Sequence, residues 1–384
     1  MTVAAVAAGV ASLGMAAHGV SVTLAARRAW RARRAVPKPA RVPPVSVVQP
    51  LCGVDEHSRE TLEAILSLDY PDYEVLFCVA DPNDPIIAIA REAIAAHPER
   101  RAAILVGDDK ISHNPKLNNV VKGWRAARRP WVAIVDSNVL TPPDYLHRLR
   151  AAWRNDTGIV CAPPIGARPE SFAAAIECAF LNTYQARWQF TADSLGFGFA
   201  QGKTLFWKRD VLEAGGGIEA LAAELAEDAA STKLVRRQGL RARLADASFG
   251  QPLGRRRWRE VWARQARWAR LRRATFAPYF APEILTTSLV PILSAGLAAY
   301  ALGGDPALAM AAIAILWYGA EALLAYLADW PRGLQMLFAS AARDLLLPYL
   351  WLQAWSGDEF VWRGHAMSVA PKDDEHSPDA YQQV

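Results

Sequence analysis

The chain has 384 residues, 52% of them hydrophobic, with four cysteines and a formal net charge of +5. Its apolar residues gather towards the two ends and its arginines cluster at 27–34 and 255–273, which points to membrane anchoring instead of one large soluble core. The cysteines form no CxxC pair and lie in apolar stretches, so we expect buried thiols in a reduced compartment, without a disulfide framework or a zinc site.

The N-terminal segment predicts a membrane anchor. Residues 2–26 carry no charged side chain, and a helix of that length crosses a hydrocarbon core of about 30 Å. Five arginines follow between residues 27 and 34, which by the positive-inside rule places this end in the cytoplasm and the N-terminus outside. A cleaved signal peptide is the alternative, and it is disfavoured because the charges follow the apolar run. Residues 27–44 form a basic, proline-rich linker.

Residues 45–250 predict an α/β domain. Short apolar runs are typical of buried strands, and segments with helical spacing separate them. The predicted strands are 45–51, 73–80, 102–107 and 131–135, and the predicted helices are 57–68, 85–97 and 116–128. Strands that alternate with helices indicate a mostly parallel, Rossmann-like sheet that is covered by helices on both faces.

Residues 251–282 predict an amphipathic helix at a membrane surface. Its arginine cluster contains nine arginines and one glutamate, interleaved with Trp258, Trp262 and Trp268. Tryptophan beside arginine on one helix suits the lipid headgroup layer. A solvated basic helix and a nucleic-acid-binding patch are the alternatives. The adjoining apolar segments favour the membrane, and we expect no nucleic-acid partner.

Further membrane segments are predicted within residues 283–355. Two apolar runs, 284–304 and 306–328, are each long enough to span and are joined by a very short loop, which indicates a helical hairpin. Glu321 lies in the second run, so we expect it to face protein or the interface, since a charge facing lipid is costly. Residues 334–355 are interrupted by charges, which favours a re-entrant or interfacial segment; a third span is the alternative.

Two aspartates follow predicted strands. In open α/β sheets, ligands bind beyond the carboxyl ends of the strands, and Asp81 and Asp136 both occupy that position. Either carboxylate alone can be a loop cap, but two on neighbouring strands favour a binding site. Asp136 begins the sequence Asp-Ser-Asn, and a carboxylate at this edge can hold a divalent cation that neutralises a diphosphate.

Two more candidates lie further along the chain. The pair Glu227–Asp228 is predicted on a helix, where it is either a solvated surface or the place of a general base, Asp228, for an acceptor hydroxyl. In Arg264–Gln–Ala–Arg267–Trp268, Arg267 can bind a diphosphate through paired N–H donors. Trp268 can stack on a sugar or close the site from the membrane side.

An apolar stripe precedes these candidates. Phe172, Ile176, Phe180, Tyr184 and Trp188 recur every four residues, which predicts one apolar face of a helix. Packing against the sheet is one interpretation of this face. Contact with lipid at the membrane surface is the other.

Taken in chain order, Asp81, Asp136, Asp228 and the RxxRW sequence resemble the D, D, D, (Q/R)xxRW series of inverting glycosyltransferases with the GT-A fold. Longer stretches are similar to the ceramide glucosyltransferases of family 21: QPLCGVD (49–55), LDYPDYEVLFCVADPNDP (68–85), NPKLNN (114–119) and AGG…AED. The similarity covers roughly residues 45–275, and the membrane segments on either side match the plan of the family.

The resemblance implies a role for each motif. Asp228 is implied as the catalytic base for the primary hydroxyl of ceramide, and Asp136 as the residue at the diphosphate and a divalent metal, Mg²⁺ or Mn²⁺. The remaining donor-binding residues implied are Asp81 at the uridine, Lys116 near the nucleotide, and Arg264, Arg267 and Trp268 at the donor and the acceptor entrance. The implied reaction transfers a sugar, glucose by expectation, from a UDP-sugar to ceramide with inversion.

Two departures from the family pattern qualify these roles. Asn138 stands where many related transferases carry a second aspartate, which affects the number of metal ions to be expected. Gln185-Ala186-Arg187 stands at the place of a His-Pro-Arg sequence, which bears on the acceptor. A transferase acting on a hopanoid or a diacylglycerol, with an aminosugar donor, therefore remains an alternative. A processive polysaccharide synthase would need more membrane helices, and a non-enzymatic nucleotide-sugar sensor would leave Asp228 and Arg267 without a role.

The membrane prediction completes the expected organisation. We expect an integral protein of a bacterial inner (plasma) membrane, with its catalytic domain in the cytoplasm and a lipid acceptor drawn from the bilayer. The high content of alanine and arginine is the basis for the bacterial assignment. Residues 356–384 form a polar tail, and its end is predicted to be disordered.

Overall fold

A computed structural model describes residues 2–39, 41–362 and 365–369 of the protein. It begins with helix α1 (Val3–Ala32), which Thr2 caps by accepting a hydrogen bond from the Ala5 amide. The helix continues past residue 26 through the first arginines, which were predicted to lie in the linker. Arg28 explains this extension, because its guanidinium pairs with Asp193 and donates to the Leu244 carbonyl at 3.3 Å.

A seven-stranded sheet forms the centre of the α/β domain, in the order β3-β2-β1-β4-β7-β5-β8. Its strands are β1 (Val45–Leu51), β2 (Tyr73–Val79), β3 (Arg101–Val106), β4 (Trp131–Val135), β5 (Thr157–Cys161), β7 (Thr204–Lys208) and β8 (Arg241–Leu244). All neighbouring pairs are parallel except those of β7, which is antiparallel to both β4 and β5. The prediction of a mostly parallel α/β sheet is confirmed.

Two smaller sheets lie outside the central one. Strand β6 (Pro164–Pro169) pairs in parallel with β9 (Phe249–Gly254). Strand β10 (Glu359–Trp362) pairs antiparallel with β11 (His365–Ser368). The start of the predicted polar tail is therefore paired strand, and residues 370–384, where disorder was predicted, lie outside the described residues.

Helices cover both faces of the central sheet, as predicted. One hydrophobic core packs α4 and α9 against the sheet, and the other packs α2, α3 and α5 against the opposite face. These helices are α2 (Ser58–Leu66), α3 (Ile86–Ala96), α4 (Pro115–Ala126), α5 (Tyr145–Ala151), α8 (Arg209–Ala214) and α9 (Glu227–Arg237). Of the cysteines, Cys78, Cys161 and Cys178 are buried as expected, but Cys52 is exposed because β1 ends one residue before it.

The apolar stripe lies on one continuous helical segment. It comprises α6 (Phe172–Ala179), a π-helical stretch (Phe180–Ala186) and α7 (Arg187–Ser194). Ile176, Phe180 and Tyr184 are buried in a core shared with the C-terminal helices, whereas Phe172 is 48% exposed. The stripe is therefore mainly a packing surface, but its partners are the C-terminal helices and not the sheet.

The C-terminal part consists of four helices. They are α10 (Trp258–Phe280), which is broken at Phe276, then α11 (Leu289–Ala301), α12 (Pro306–Ala328) and α13 (Leu334–Trp355). By length and composition, α1 and α12 can each cross a membrane. The stretch from α10 to α11 adds a third span if it counts as one, although it bends by 45°. Helix α13 is not among these candidates.

The first helix of the predicted hairpin, α11, is shorter than the apolar run 284–304 that predicted it. Helix α11 has 13 residues, which reach about 20 Å at 1.5 Å per residue, less than the hydrocarbon thickness of about 30 Å. The residues shortly before it, Ala281–Thr286, form a 3-10 helix with Pro282 in its first turn. Only α12 matches its predicted span, 306–328, closely.

A buried ionic cluster joins the helices of the C-terminal part to the π-helical stretch. Arg343 is fully buried and lies 3.0 Å from Glu321 Oε1 and 2.9 Å from Asp344 Oδ1. It also donates to Thr183 Oγ1 at 2.7 Å and to the Ala179 carbonyl at 3.2 Å. The expectation that Glu321 faces protein is therefore confirmed, since it is 2% exposed and ion-paired.

We expect Arg343→Met to destabilise the protein strongly. The substitution leaves Asp344 buried without its cation and leaves Glu321 dependent on Arg187, 3.9 Å away; breaking a buried pair in this way costs about 3–5 kcal/mol. Thermal unfolding in detergent measures the effect, with the exposed Arg332→Met as the matched control. Adding Asp344→Leu to Arg343→Met removes the carboxylate that has lost its cation, while Glu321 keeps Arg187 beside it, and is expected to restore part of the loss. An unchanged unfolding temperature for Arg343→Met alone would contradict the assigned role of the cluster.

Candidate active site

The candidate site lies at the carboxyl edge of the central sheet. Asp136 directly follows β4, and its backbone amide donates to the carbonyl of Lys203 at 3.1 Å. Lys203 directly precedes β7, which runs antiparallel to β4 and therefore begins at the edge where β4 ends. This antiparallel strand brings the loop Gln201–Lys203 to the predicted diphosphate residue.

Two lysines hold the Asp136 carboxylate. Lys116 Nζ lies 2.6 Å from its Oδ1, and Lys203 Nζ lies 2.9 Å from its Oδ2. Burial by itself raises the pKa of Asp136, but attraction to Lys116 and then Lys203 outweighs it and holds that pKa well below its ordinary value. Asp136 is therefore a permanent negative charge at neutral pH.

Lys116 links Asp136 to the second acidic position. Its ammonium lies 2.7 Å from Glu227 Oε1, and it also donates to the Gly202 carbonyl. Burial lowers the pKa of Lys116, but the two carboxylates raise it further, so the net shift is upward. Asn114 fixes the start of α4 by capping it, with Pro115 in the first turn, and donates to Glu227 Oε2 at 2.7 Å. The Asn114-Pro115-Lys116 sequence thus positions the charges of Lys116 and Glu227.

Asp228 lies in the first turn of α9, beside this ion pair. Its Oδ2 accepts from the Gly202 amide at 2.9 Å, and its Oδ1 accepts from the Ala229 amide at 2.8 Å. Burial first, and then repulsion by Glu227, raise the pKa of Asp228 to about 6, against the opposing effect of Lys116. A carboxylate with this pKa is a more effective proton acceptor near neutral pH than an ordinary aspartate.

Gly202 occupies the point where these groups meet. Its amide and carbonyl bind Asp228 and Lys116, respectively. A Cβ atom at this position would lie 3.0 Å from Glu227 Oε1, 3.3 Å from Lys116 Nζ and 3.4 Å from Asp228 Oδ2. The glycine therefore permits the close approach of three charged side chains to one segment of backbone.

We expect Gly202→Ala to lower the rate of transfer by about tenfold or more, because small displacements of catalytic groups have large kinetic costs. The added methyl group displaces the tips of Glu227 and Lys116 by a few tenths of an ångström. Gly250→Ala is the matched control, since the Cβ atom there meets its nearest neighbour at 3.4 Å. Steady-state rates and unfolding temperatures of both variants check the prediction, and it is wrong if the two variants have equal activity.

Asp81 lies at the same edge of the sheet but apart from Asp136 and Asp228. Its side chain is exposed and accepts from the Asn83 amide at 2.8 Å within its own loop. The expectation that the strands before Asp81 and Asp136 are neighbours was wrong, because β1 lies between β2 and β4. Two strand spacings correspond to about 10 Å, so the ends of β2 and β4 are separated by the width of the strand between them.

Helix α10 carries the arginine motif and brings Arg264 towards the site. Arg264 pairs with Glu177, a fully buried carboxylate on α6, and lies close enough to Lys203 to help lower its pKa, after the larger effect of burial. Trp268 packs against the small core around Cys178 and Leu253. Arg267 is half-buried on the same helix. The structure thus places Arg264 near Lys203. The contacts of Arg267 and Trp268 with substrate stay predictions.

Four residues at the site were not singled out as site residues from the sequence: Asn114, Gly202, Lys203 and Glu227. Asn114 had a signal, since asparagine before proline is typical of a helix start. Glu227 was visible only as the neighbour of Asp228. The Gly202–Lys203 pair lies in a loop whose position depends on the antiparallel strand β7, so no local pattern places it beside Asp136.

The side chains at the site do not form a metal site by themselves. Asp136 and Asn138 are the oxygen donors predicted for a cation, and one oxygen of each is bound to Lys203, at 2.9 Å in both cases. Within the part of the chain that the structure describes, no group of three histidine, cysteine, aspartate or glutamate residues is arranged to hold a metal ion. A divalent cation here would need ligands from a bound diphosphate.

A mixed α/β sheet with Asp136, Lys116 and Asp228 converging at its carboxyl edge is the architecture of GT-A glycosyltransferases. The sequence matches Glycosyl transferase family 21 over residues 13–374, and the chain belongs to this family.

Individual relatives are consistent with this assignment. The chain is 30% identical to Ceramide glucosyltransferase 1 of Caenorhabditis elegans over 56% of this chain and 47% of that protein. It is 23% identical to Ceramide glucosyltransferase 3 of the same organism over 89% of this chain and 76% of that protein. The match thus spans about half the length of the first relative and three quarters of the second.

One solved structure supports the fold. The mannosyltransferase PcManGT from Pyrobaculum calidifontis, in complex with GDP-Man and Mn²⁺, is 21% identical and superposes with a TM-score of 0.51, covering 88% of this chain and 99% of that one. At this level of identity the likeness establishes the GT-A-like fold alone. The fold class predicted from the sequence is confirmed.

Proposed function

We propose that the enzyme transfers glucose from UDP-glucose to the primary hydroxyl of ceramide, with inversion at the anomeric carbon. Family membership and the ceramide glucosyltransferase relatives support the substrates. The observation that carries the reaction type is Asp228, a carboxylate with a pKa of about 6 beside the Lys116–Asp136 ion pair. Such a group suits proton removal from an acceptor hydroxyl.

The proposed reaction is a single displacement. Asp228 accepts the hydroxyl proton as the acceptor oxygen forms its bond to the anomeric carbon from the face opposite UDP, and the bond to the diphosphate oxygen breaks. The diphosphate lies at the Asp136 edge, where cationic side chains balance its growing charge. Asp81, beyond β1 from Asp136, is proposed to contact the uridine. Arg264, Arg267 and Trp268 are proposed to line the donor and the acceptor entrance.

A divalent cation at Asp136 stays a prediction from the sequence. The PcManGT complex contains Mn²⁺, so a metal is consistent with the fold. In this chain one carboxylate and one amide would supply the protein ligands, and one oxygen of each is bound to Lys203, so a metal there would have to displace that ammonium group.

We propose that the catalytic domain lies on the cytoplasmic side of a bacterial plasma membrane. Helices α1 and α12 are suited to cross it. Arg28, at the basic end of α1, is tied to Asp193 in the catalytic domain, so this domain and the arginines share one side. By the positive-inside rule that side is the cytoplasm, where UDP-sugars are made. The bacterial assignment rests on composition.

The residues at the place of the family's acceptor sequence make contacts within the protein. Arg187, at the position of the family's His-Pro-Arg arginine, is fully buried and bonds to His18 and Ser21 of α1, so it is not available to an acceptor. Gln185 donates to Gln265 of α10 at 3.0 Å. These contacts favour testing other lipid alcohols, such as a hopanoid or diacylglycerol, beside ceramide.

The test is transfer from UDP-glucose by the purified protein in lipid nanodiscs, with ceramide, hopanoid and diacylglycerol supplied separately. Mass spectrometry identifies the product, and UDP-N-acetylglucosamine replaces UDP-glucose in a parallel arm. A glucosylceramide product that disappears in Asp228→Asn supports the proposal. A product on another lipid, a polymer, or UDP-sugar binding without turnover would each overturn it.

A further inference from the structure

Lys203 occupies the place that sequence comparison assigns to a metal ion. Its ammonium bridges Asp136 Oδ2 and Asn138 Oδ1, with both distances 2.9 Å. The side chain is 15% exposed and is anchored in the loop next to Gly202. Both ends of the Asp-Ser-Asn sequence are thus oriented towards an ammonium group of the protein itself.

The two lysines at the site differ in their remaining hydrogen-bonding capacity. An ammonium group has three N–H donors. Lys116 uses its three on Asp136, Glu227 and the Gly202 carbonyl. Among the residues that the structure describes, Lys203 binds two acceptors, Asp136 and Asn138, which leaves one N–H for a ligand. Lys203 is therefore the amine that is free to bind a further anion.

Asn138 fits this arrangement better than an acid would. An amide oxygen accepts one N–H of Lys203 without adding negative charge. An aspartate there would place a second carboxylate close to Asp136, and paired carboxylates favour either a divalent cation or protonation of one of them. Asn138, which stands where many related transferases carry an aspartate, and the lysine beside it are thus complementary features of one site.

We propose that Lys203 is a donor-binding residue whose ammonium donates to the diphosphate of the nucleotide sugar and supplies the positive charge otherwise expected from a divalent cation. UDP binding and sugar transfer then proceed without metal. Lysine is a common phosphate ligand as a compact point charge, and a charge-assisted hydrogen bond in a half-buried site is stronger than one in water. The inference rests on the proposed nucleotide-sugar donor.

The direct test measures UDP binding by calorimetry with the full-length protein in EDTA. Wild type is expected to bind UDP with an affinity within about threefold of that in Mg²⁺ or Mn²⁺. Lys203→Met is expected to bind about 30-fold or more weakly in EDTA, the loss expected for one hydrogen bond to a charged group. Lys208→Met, at the opposite end of β7, is the matched control and is expected to bind like wild type.

Two further variants keep the test decisive if Lys203→Met folds poorly. Lys203→Arg retains the charge and is expected to keep UDP binding in EDTA within about tenfold of wild type. Asn138→Asp is expected to make UDP binding and transfer dependent on Mg²⁺ or Mn²⁺. Loss of wild-type UDP binding in EDTA, or unaltered binding by folded Lys203→Met, would overturn the inference.

These outcomes separate this inference from the proposed function. Lys203-dependent UDP binding in EDTA supports the inference even if ceramide is not glycosylated, in which case the proposed acceptor is wrong. Transfer to ceramide that stops in EDTA supports the proposed acceptor and contradicts the role of Lys203.

Discussion

Asp228→Asn is expected to lower the turnover number for sugar transfer by about 10²- to 10⁴-fold, the range for loss of a general base. The amide has nearly the same shape and can still accept one of the two hydrogen bonds from Gly202 and Ala229. UDP affinity is therefore expected to stay within about threefold of wild type. The measurement compares turnover and UDP binding, with Asp156→Asn at the opposite edge of the sheet as the control.

The pH dependence of wild type supplies an independent check on the same residue. The pKa of Asp228 is raised to about 6, so the carboxylate is protonated below that pH and cannot accept a proton. The value of kcat/KM is expected to rise with pH through about 6 and then level off. Asp228→Asn is expected to lack this rise. A profile that rises near pH 4, or an unchanged profile in Asp228→Asn, would contradict the assignment of the base.

Glu227 gives this interpretation a finer test. Repulsion by Glu227 is the second cause of the raised pKa of Asp228, after burial. In Glu227→Gln this repulsion disappears while Lys116 stays near, so the rise in kcat/KM is expected to move to lower pH. A purely structural role for Glu227 would lower the rate without moving the profile.

The sequence was sufficient for the parts of the fold that depend on local pattern. The apolar runs at β1 to β4 and the capped start of α4 are determined by neighbours in the chain, and strand ends then locate Asp136. The convergence of Lys116 and Asp136 follows from the parallel order of these strands. These features place Asp136 and Lys116.

Long-range pairing explains what the sequence did not predict. The antiparallel strand β7 is as apolar as a parallel one, so its direction, and with it the position of Gly202 and Lys203, is absent from the pattern. Glu177 lies in an apolar segment, and its neighbours in the chain indicate no role for an acid there. It is nevertheless the buried partner of Arg264. Helix α11 is shorter than the predicted run 284–304, since the 3-10 helix Ala281–Thr286 precedes it and Gly303, with a φ of 74°, follows it.

The second large effect is expected for Asp136→Asn. Asp136 is the shared counter-ion of Lys116 and Lys203. Its loss leaves two half-buried ammonium groups close together, and removing one partner from a buried ionic network costs about 3–5 kcal/mol. We expect transfer to fall by about 100-fold or more, because Lys203 loses one of its two anchors and the diphosphate loses its defined position. Transfer assays and thermal unfolding measure the two effects.

The control for this prediction is Asp81→Asn at the same edge of the sheet. Asp81 is exposed and its hydrogen bond is local, so its substitution is expected to weaken UDP binding without lowering the unfolding temperature. The double variant Asp136→Asn, Lys203→Met removes one of the stranded ammonium groups. It is therefore expected to be more stable than Asp136→Asn alone, although it remains inactive. If the double variant is instead less stable than wild type by the sum of the losses in unfolding free energy of the two single variants, Asp136 and Lys203 do not act as a pair.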